Sequence, residues 1–150
     1  MQGTPSNSHG SAAPSGLRIL LVEDHDDTRR VIERILSARG YVVTPAASVA
    51  AGLAAADQQT FDLVVSDIGL PDGDGYQLMA SLRQKHGLAG IAISGFGFTE
   101  DIARSTKAGF FAHLTKPISV PVIEQTIARL RRDIAQRFQK ESGSGEIPAV

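Results

Sequence analysis

The chain has 150 residues, 42% of them apolar, and its 15 Lys and Arg against 16 Asp and Glu give a net charge of −1 with His neutral. That is enough for one domain with a proper core and too little for two of ordinary size, and it provides no overall field to attract nucleic acid or an anionic membrane. The lack of Cys removes disulfides, thiolate metal sites and thiol nucleophiles and suits the cytoplasm, while no apolar run approaches the roughly 20 residues that cross a bilayer.

Residues 1–16 are Ser, Gly, Pro, Ala and Asn with almost no large apolar side chain, so they read as a flexible linker or tail in which His9 is solvated. A single domain over 17–140 follows, and 141–150 repeats the tail composition. Within the domain, Arg18 to Val22 (RILLV) predicts a strand. Val31, Ile32, Ile35 and Leu36 then recur at helical spacing until Gly40, a natural residue for a left-handed helix end. Tyr41 to Thr44 predicts a second strand, and Ser48 can cap an Ala-rich helix to about Ala56. Leu63 to Ser66 (LVVS) predicts a central strand buried on both faces and ending at Asp67. A helix from about Tyr76 to Lys85, a strand Ile91 to Ser94, a polar helix Thr99 to Ala108 stopped by Gly109, and a strand Phe111 to Thr115 come next. The last helix starts near Ser119, tolerates Pro121 in its first turn and carries Ile123, Ile127, Leu130 and Ile134 as a stripe. Five strand–helix units in alternation predict an α/β protein: a parallel sheet covered by helices.

In such a sheet, function gathers just past the carboxyl ends of the strands, near the point where strand order reverses. Strand one ends in Glu23 and Asp24, strand three in Asp67, strand four in Ser94, and strand five in Thr115, Lys116 and Pro117. Three carboxylates brought together repel one another unless a cation neutralises them, and an oxygen-lined, acidic but open site suits Mg2+. Lys116 can hold a phosphoryl oxygen and the Ser94 hydroxyl can donate to another. A carboxylate nucleophile with a metal, a cationic clamp and a hydroxyl donor is the equipment of phosphoryl transfer through an acyl phosphate, with Asp67 as nucleophile.

Other strings carry less. Asp72, Gly73, Asp74 and Gly75 suggest a calcium loop, but Tyr76 and Arg83 stand where that loop needs oxygen ligands. Gly95, Phe96, Gly97 and Phe98 lack the third glycine of a dinucleotide loop. Arg129, Arg131, Arg132 and Arg137 lie among acidic and Gln neighbours and read as a solvated helix face, not as a nucleic-acid contact. His25 reads as a loop residue at the rim of the acidic site.

With its strings ILLVEDHDD, DLVVSDIGLPDGDG, IAISG and HLTKP in order, the chain resembles the receiver domains of bacterial two-component response regulators over roughly Leu17 to Leu130. The resemblance implies a flavodoxin-like (CheY-like), doubly wound, five-stranded parallel sheet of order 2-1-3-4-5 with helices on both faces. It implies that Asp67 is the phosphoacceptor, and that Mg2+ is held by Asp24 directly, by Glu23 mostly through water, by the Gly69 carbonyl and by Asp67. It further implies that Ser94 and Lys116 bind the phosphoryl oxygens and that the bond before Pro117 is cis. Such a domain catalyses its own phosphotransfer and dephosphorylation without being a turnover enzyme alone. Its partners are a histidine kinase or histidine phosphotransfer protein, and a downstream partner on the face of helix 4, strand 5 and helix 5; it needs no nucleic acid or membrane contact. The strings SGFG and AHLTKP look most like receivers of hybrid kinases, so the expected parent is a hybrid sensor histidine kinase with this domain at its C-terminus; a free-standing response regulator is the alternative. Two positions depart from the common pattern. Gly69 offers no side chain beside the metal, and His113 stands where relatives carry the Tyr or Phe that turns inward with Ser94. A buried His needs a hydrogen-bond partner, which predicts a smaller or pH-sensitive switch.

Overall fold

The computed structural model describes residues 16–95 and 99–146, with side chains described for 16–95 and 102–137. The expected tail before Gly16, most of the Gly95–Phe98 string and residues 147–150 lie outside the described residues.

The chain divides after Pro117. The first unit contains β1 (Arg18–Val22), α1 (Asp26–Ala38), β2 (Val42–Ala46), α2 (Val49–Gln58), β3 (Leu63–Asp67), β4 (Gly69–Leu70), β5 (Gly73–Asp74), α3 (Gly75–His86), β6 (Ala89–Ser94), α4 (Thr99–Ala108) and β7 (Phe110–Thr115). Five strands form one parallel sheet in the order β2-β1-β3-β6-β7, which is 2-1-3-4-5 once the separate two-residue ribbon β4-β5 is set aside. Right-handed crossovers put α1, which leads outward to β2, on one face and α2, α3 and α4, which lead the other way, on the opposite face.

Burial follows the two-residue period of the strands. Leu20, Val22, Val64 and Ala92 join Leu78, Met79 and Leu82 of α3, Ala56 of α2 and Phe110 in one core cluster. The alternate residues Ile19, Leu21, Leu63, Val65, Ile91 and Ile93 are also fully or almost fully buried. β3 is buried at every position, as the LVVS run predicts. β2 extends through Pro45 to Ala46, beyond the expected Thr44, and it can do so because it is an edge strand, where a residue without N–H leaves no ladder bond unmade.

The helix ends explain several short-range features. Ser48 caps α2 by accepting from Ala51 N–H at 3.0 Å, as expected. Asp72 also caps α2 from a distance, accepting from Val49 N–H at 2.8 Å and Ala50 N–H at 3.0 Å, and those two bonds, Ala50's first, hold its carboxyl below the usual range. Asp74 caps α3 through Gln77 N–H at 2.9 Å, and Gly87 ends that helix in the left-handed region at φ 68°. The carboxylates of the calcium-like string are therefore helix caps. Val31, expected on the buried stripe of α1, is 54% exposed, because a 3.6-residue period fixes direction but not the width of the buried face.

The second unit is α5 (Val120–Glu146), with Pro121 in its first turn. It is helical through 141–146, where the composition suggested a tail. Ile123, Ile127 and Leu130 are buried on one side, whereas Ile134, which the stripe included, is 39% exposed. No helix among the described residues is long and apolar enough to cross a membrane.

Candidate functional site

β1 and β3 are neighbours at the point where the strand order reverses, so the residues that follow them open into one crevice. Glu23 and Asp24 leave β1, and Asp67 ends β3. Carboxylate oxygens of these three residues and a ring nitrogen of His25 all lie within 4.8 Å of one another. Glu23 is fully buried and Asp67 nearly so, Asp24 is half-buried, and His25 stands at the exposed rim.

Lys116 reaches this cluster from the end of β7. Its Nζ lies 3.0 Å from Asp67 Oδ2, to which it donates a hydrogen bond, and 2.8 Å from Glu23 Oε1. The Glu23 contact is an ion pair without hydrogen-bond alignment, for Glu23 Oε1 and Asp24 Oδ1 are buried and accept no aligned hydrogen bond. The remaining oxygens of Glu23 and Asp67 are occupied. Ile68 N–H donates to Asp67 Oδ1 at 2.7 Å, and His25 N–H donates to Glu23 Oε2 at 3.0 Å, with the His25 ring at 3.1 Å from the same atom. Arg29 braces the turn, donating to the Glu23 carbonyl at 2.8 Å and to Asp26 Oδ1 at 2.6 Å.

Two buried carboxylate oxygens thus lack an aligned donor, beside a third carboxylate that is only partly neutralised by one lysine. All are hard oxygen donors, so the set fits a small divalent cation such as Mg2+, with Glu23, Asp24 and Asp67 as its holders. Gly69, on β4, is exposed, and a Cβ there would meet nothing within 4 Å.

Burial pushes the Asp67 carboxyl above the usual carboxylate range; the Lys116 hydrogen bond opposes that and the Glu23 charge adds to it. Burial pulls Lys116 down, but Glu23 and Asp67 outweigh it and hold the ammonium above its ordinary value. A carboxyl whose folded pKa is raised stabilises the fold fully below its unfolded value of 3.8 and loses that contribution as pH rises through the folded value. Without divalent cations, Asp67→Asn should therefore gain on the wild type in urea unfolding as pH rises from 4, and the gap should then level off. A gap independent of pH would show that Asp67 ionises in the fold as it does in water.

Ser94 follows Ile93, the register partner of Asp67, and its carbonyl accepts from Lys116 N–H at 2.8 Å. Its Oγ lies 2.7 Å from His113 Nε2, and Ser105 Oγ of α4 lies 2.7 Å from His113 Nδ1. The partly buried ring thus has a hydroxyl partner at each nitrogen. The Lys116–Pro117 peptide is cis. The sequence reading missed Arg29 and Ser105: the first looks like an ordinary surface charge, and a lone Ser inside a helix carries no pattern.

The chain matches the family model described as "Response regulator receiver domain" over residues 19–128. It is 33% identical over 110 residues to the transcriptional regulatory protein GlrR of Escherichia coli, a match covering 73% of this chain and 25% of that protein. It is 30% identical over 141 residues to the sensor histidine kinase RcsC of Escherichia coli, covering 93% of this chain and 14% of RcsC. The chain therefore spans only a small part of the length of these relatives. Among solved structures, a CheY-like receiver domain protein from Methanospirillum hungatei superposes with a TM-score of 0.76 at 29% identity, covering 82% of this chain and 99% of that one. With its reversal-point crevice, acidic cluster and matched span, the chain belongs to the response regulator receiver domain family.

Proposed function

We propose that this chain is the phosphoacceptor switch of a two-component His-Asp phosphorelay, taking a phosphoryl group on Asp67 in a magnesium-dependent reaction. The observation that carries this reading is the buried Asp67 carboxylate at the reversal point, paired with Lys116 beside Glu23 and Asp24. A carboxylate oxygen of Asp67 attacks the phosphorus of a phosphohistidine. The N–P bond breaks, its electron pair stays on the imidazole nitrogen, and an acyl phosphate forms on Asp67. Lys116 exchanges its carboxylate partner for a phosphoryl oxygen, which keeps its charge paired through the transfer, and the Ser94 hydroxyl donates to a second oxygen. Asp24, Asp67, the Gly69 carbonyl and, through water, Glu23 would hold Mg2+, which when bound would supply charge neutralisation for the phosphoryl oxygens.

The partner is a histidine kinase or a histidine phosphotransfer protein, met in the cytoplasm. We favour the C-terminal receiver of a hybrid sensor histidine kinase, because the similarity to RcsC runs over 93% of the chain. A free-standing single-domain regulator is the second reading, favoured by the M. hungatei receiver, 99% of which is covered. Rapid passage of phosphate to a histidine phosphotransfer protein supports the first. Acceptance from a kinase with no onward transfer supports the second.

The test is incubation with Mg2+ and acetyl phosphate: the protein should gain the mass of one phosphoryl group, mapped to Asp67. Asp24→Ala should weaken Mg2+ binding by well over tenfold and Glu23→Ala less, since the charge of Glu23 is already paired with Lys116. Superimposable Mg2+ titrations of wild type and Asp24→Ala would remove Asp24 from the metal site.

A further inference from the structure

In this chain the position after Ser94 in the switch is not held by an apolar ring packed into a space. His113 is bonded at both ends, with Ser94 Oγ at 2.7 Å from Nε2 and Ser105 Oγ at 2.7 Å from Nδ1. Ser94 ends β6, His113 lies on β7 opposite Ala92, and Ser105 is buried on α4, so three elements meet on one imidazole. We propose that Ser105 is the positioning residue through which the state of Asp67 reaches α4, by fixing His113 in one tautomer and joining it to Ser94 as a tether. The proposal rests on the receiver reading.

The argument is a count of protons. A neutral imidazole offers one N–H and one lone pair, and each serine hydroxyl has one proton to give. With the ring neutral, two arrangements satisfy both 2.7 Å contacts. In one, His113 Nδ1–H donates to Ser105 and the Ser94 hydroxyl is spent on Nε2. In the other, Nε2–H donates to Ser94 and the Ser105 hydroxyl donates to Nδ1. Only the second leaves the Ser94 proton to donate to a phosphoryl oxygen. A phosphoryl group on Asp67 therefore selects the chain Ser105 O–H to Nδ1, Nε2–H to Ser94, Ser94 O–H to phosphoryl, with every donor pointing toward the new charge. Such a directed chain strengthens each of its bonds.

The consequence for α4 is direct. In the first arrangement the Ser105 proton is unspent on the ring, and a helical serine in that state turns it to a backbone carbonyl one turn back. In the second, that proton belongs to His113. As Ser94 is drawn toward the phosphoryl oxygens, the ring follows it and α4 is pulled through Ser105. The same two bonds hold the ring in the absence of phosphate, so α4 responds by traction and not by the filling of a vacated space.

The test uses the full chain at about pH 8, above the ordinary histidine range, with Mg2+ and fluoroberyllate as the phosphoryl mimic. The ring 15N spectrum of His113 should shift on loading to the tautomer protonated on Nε2. Ser105→Ala should still bind the mimic, seen at the Ile68 and Asp67 amides, but its α4 amide response should fall about fivefold, the worth of one neutral hydrogen bond, and recover in Ser105→Thr. A loaded protein with His113 protonated on Nδ1 overturns the tether, as does Ser105→Ala with a full α4 response. The ring measurement needs no variant and decides the matter even if a substitution unfolds the protein. If the mimic leaves the Asp67 and Ile68 amides unmoved in wild type, the receiver reading falls and the tether with it.

Discussion

Asp67→Asn, incubated with Mg2+ and acetyl phosphate, should gain no phosphoryl group under conditions that label the wild type fully, a loss of activity of at least about 10³-fold. The amide is a poor nucleophile, and it lacks the charge that pairs with Lys116 at 3.0 Å and that contributes to the acidic cluster. The fold should survive. Asn preserves the shape of the side chain, its oxygen can still accept from Ile68 N–H, and Lys116 keeps Glu23 at 2.8 Å. Removing the desolvated carboxylate also relieves a cost that the wild type bears at neutral pH, since burial raises the Asp67 pKa. One substitution should thus abolish labelling while leaving the metal-free protein as stable as before or more so. Intact mass spectrometry and urea unfolding read the two effects separately. Labelling of the Asn variant at the wild-type rate would move the phosphoacceptor elsewhere.

The acidic site was legible in the sequence because its parts fall at strand ends, and strand ends are what a short β-rich apolar run marks most sharply. Glu23 and Asp24 after RILLV, Asp67 after LVVS and Lys116 after strand five needed only the rule that such ends converge, and the structure brings all four together. Ser94 was placed beside them by the same rule, whereas its pairing with His113 was offered only by the resemblance, because that contact depends on the register of β6 against β7. Register between parallel strands is set by packing over the whole sheet, so no local pattern announces it. The helices were legible where caps are local, as at Ser48, and illegible where the cap comes from a distant segment, as Asp72 does for α2 across 23 residues. The ribbon β4-β5 escaped notice because two residues per strand carry no period.

The last consequence concerns Gly75, which the sequence offers only as part of a calcium-like string. It opens α3, and its N–H donates to the Ile68 carbonyl at 2.7 Å, which folds the segment after Asp67 back on itself. A Cβ at Gly75 would lie 2.3 Å from the Asp67 carbonyl oxygen and 3.0 Å from Ile68 Cα. Both are backbone atoms, so no side-chain rotation relieves the clash. Nor is that oxygen idle, since it accepts from Ser66 Oγ at 2.8 Å within fully buried β3. Gly75→Ala must therefore move either the start of α3 or the end of β3. We expect a destabilisation of about 1–3 kcal/mol, the range for overpacking a tight interior. The larger effect should be chemical. Displacing Asp67 by about 1 Å from Lys116 and the metal-holding oxygens should slow labelling by acetyl phosphate about 10²-fold, the sensitivity of a positioned nucleophile. Gly69→Ala is the stability control, because its Cβ would meet nothing within 4 Å and its unfolding should stay within about 0.5 kcal/mol of wild type. If Gly75→Ala unfolds at the wild-type urea concentration and labels at the wild-type rate, the close approach of α3 to the Asp67 carbonyl does not hold the nucleophile in place.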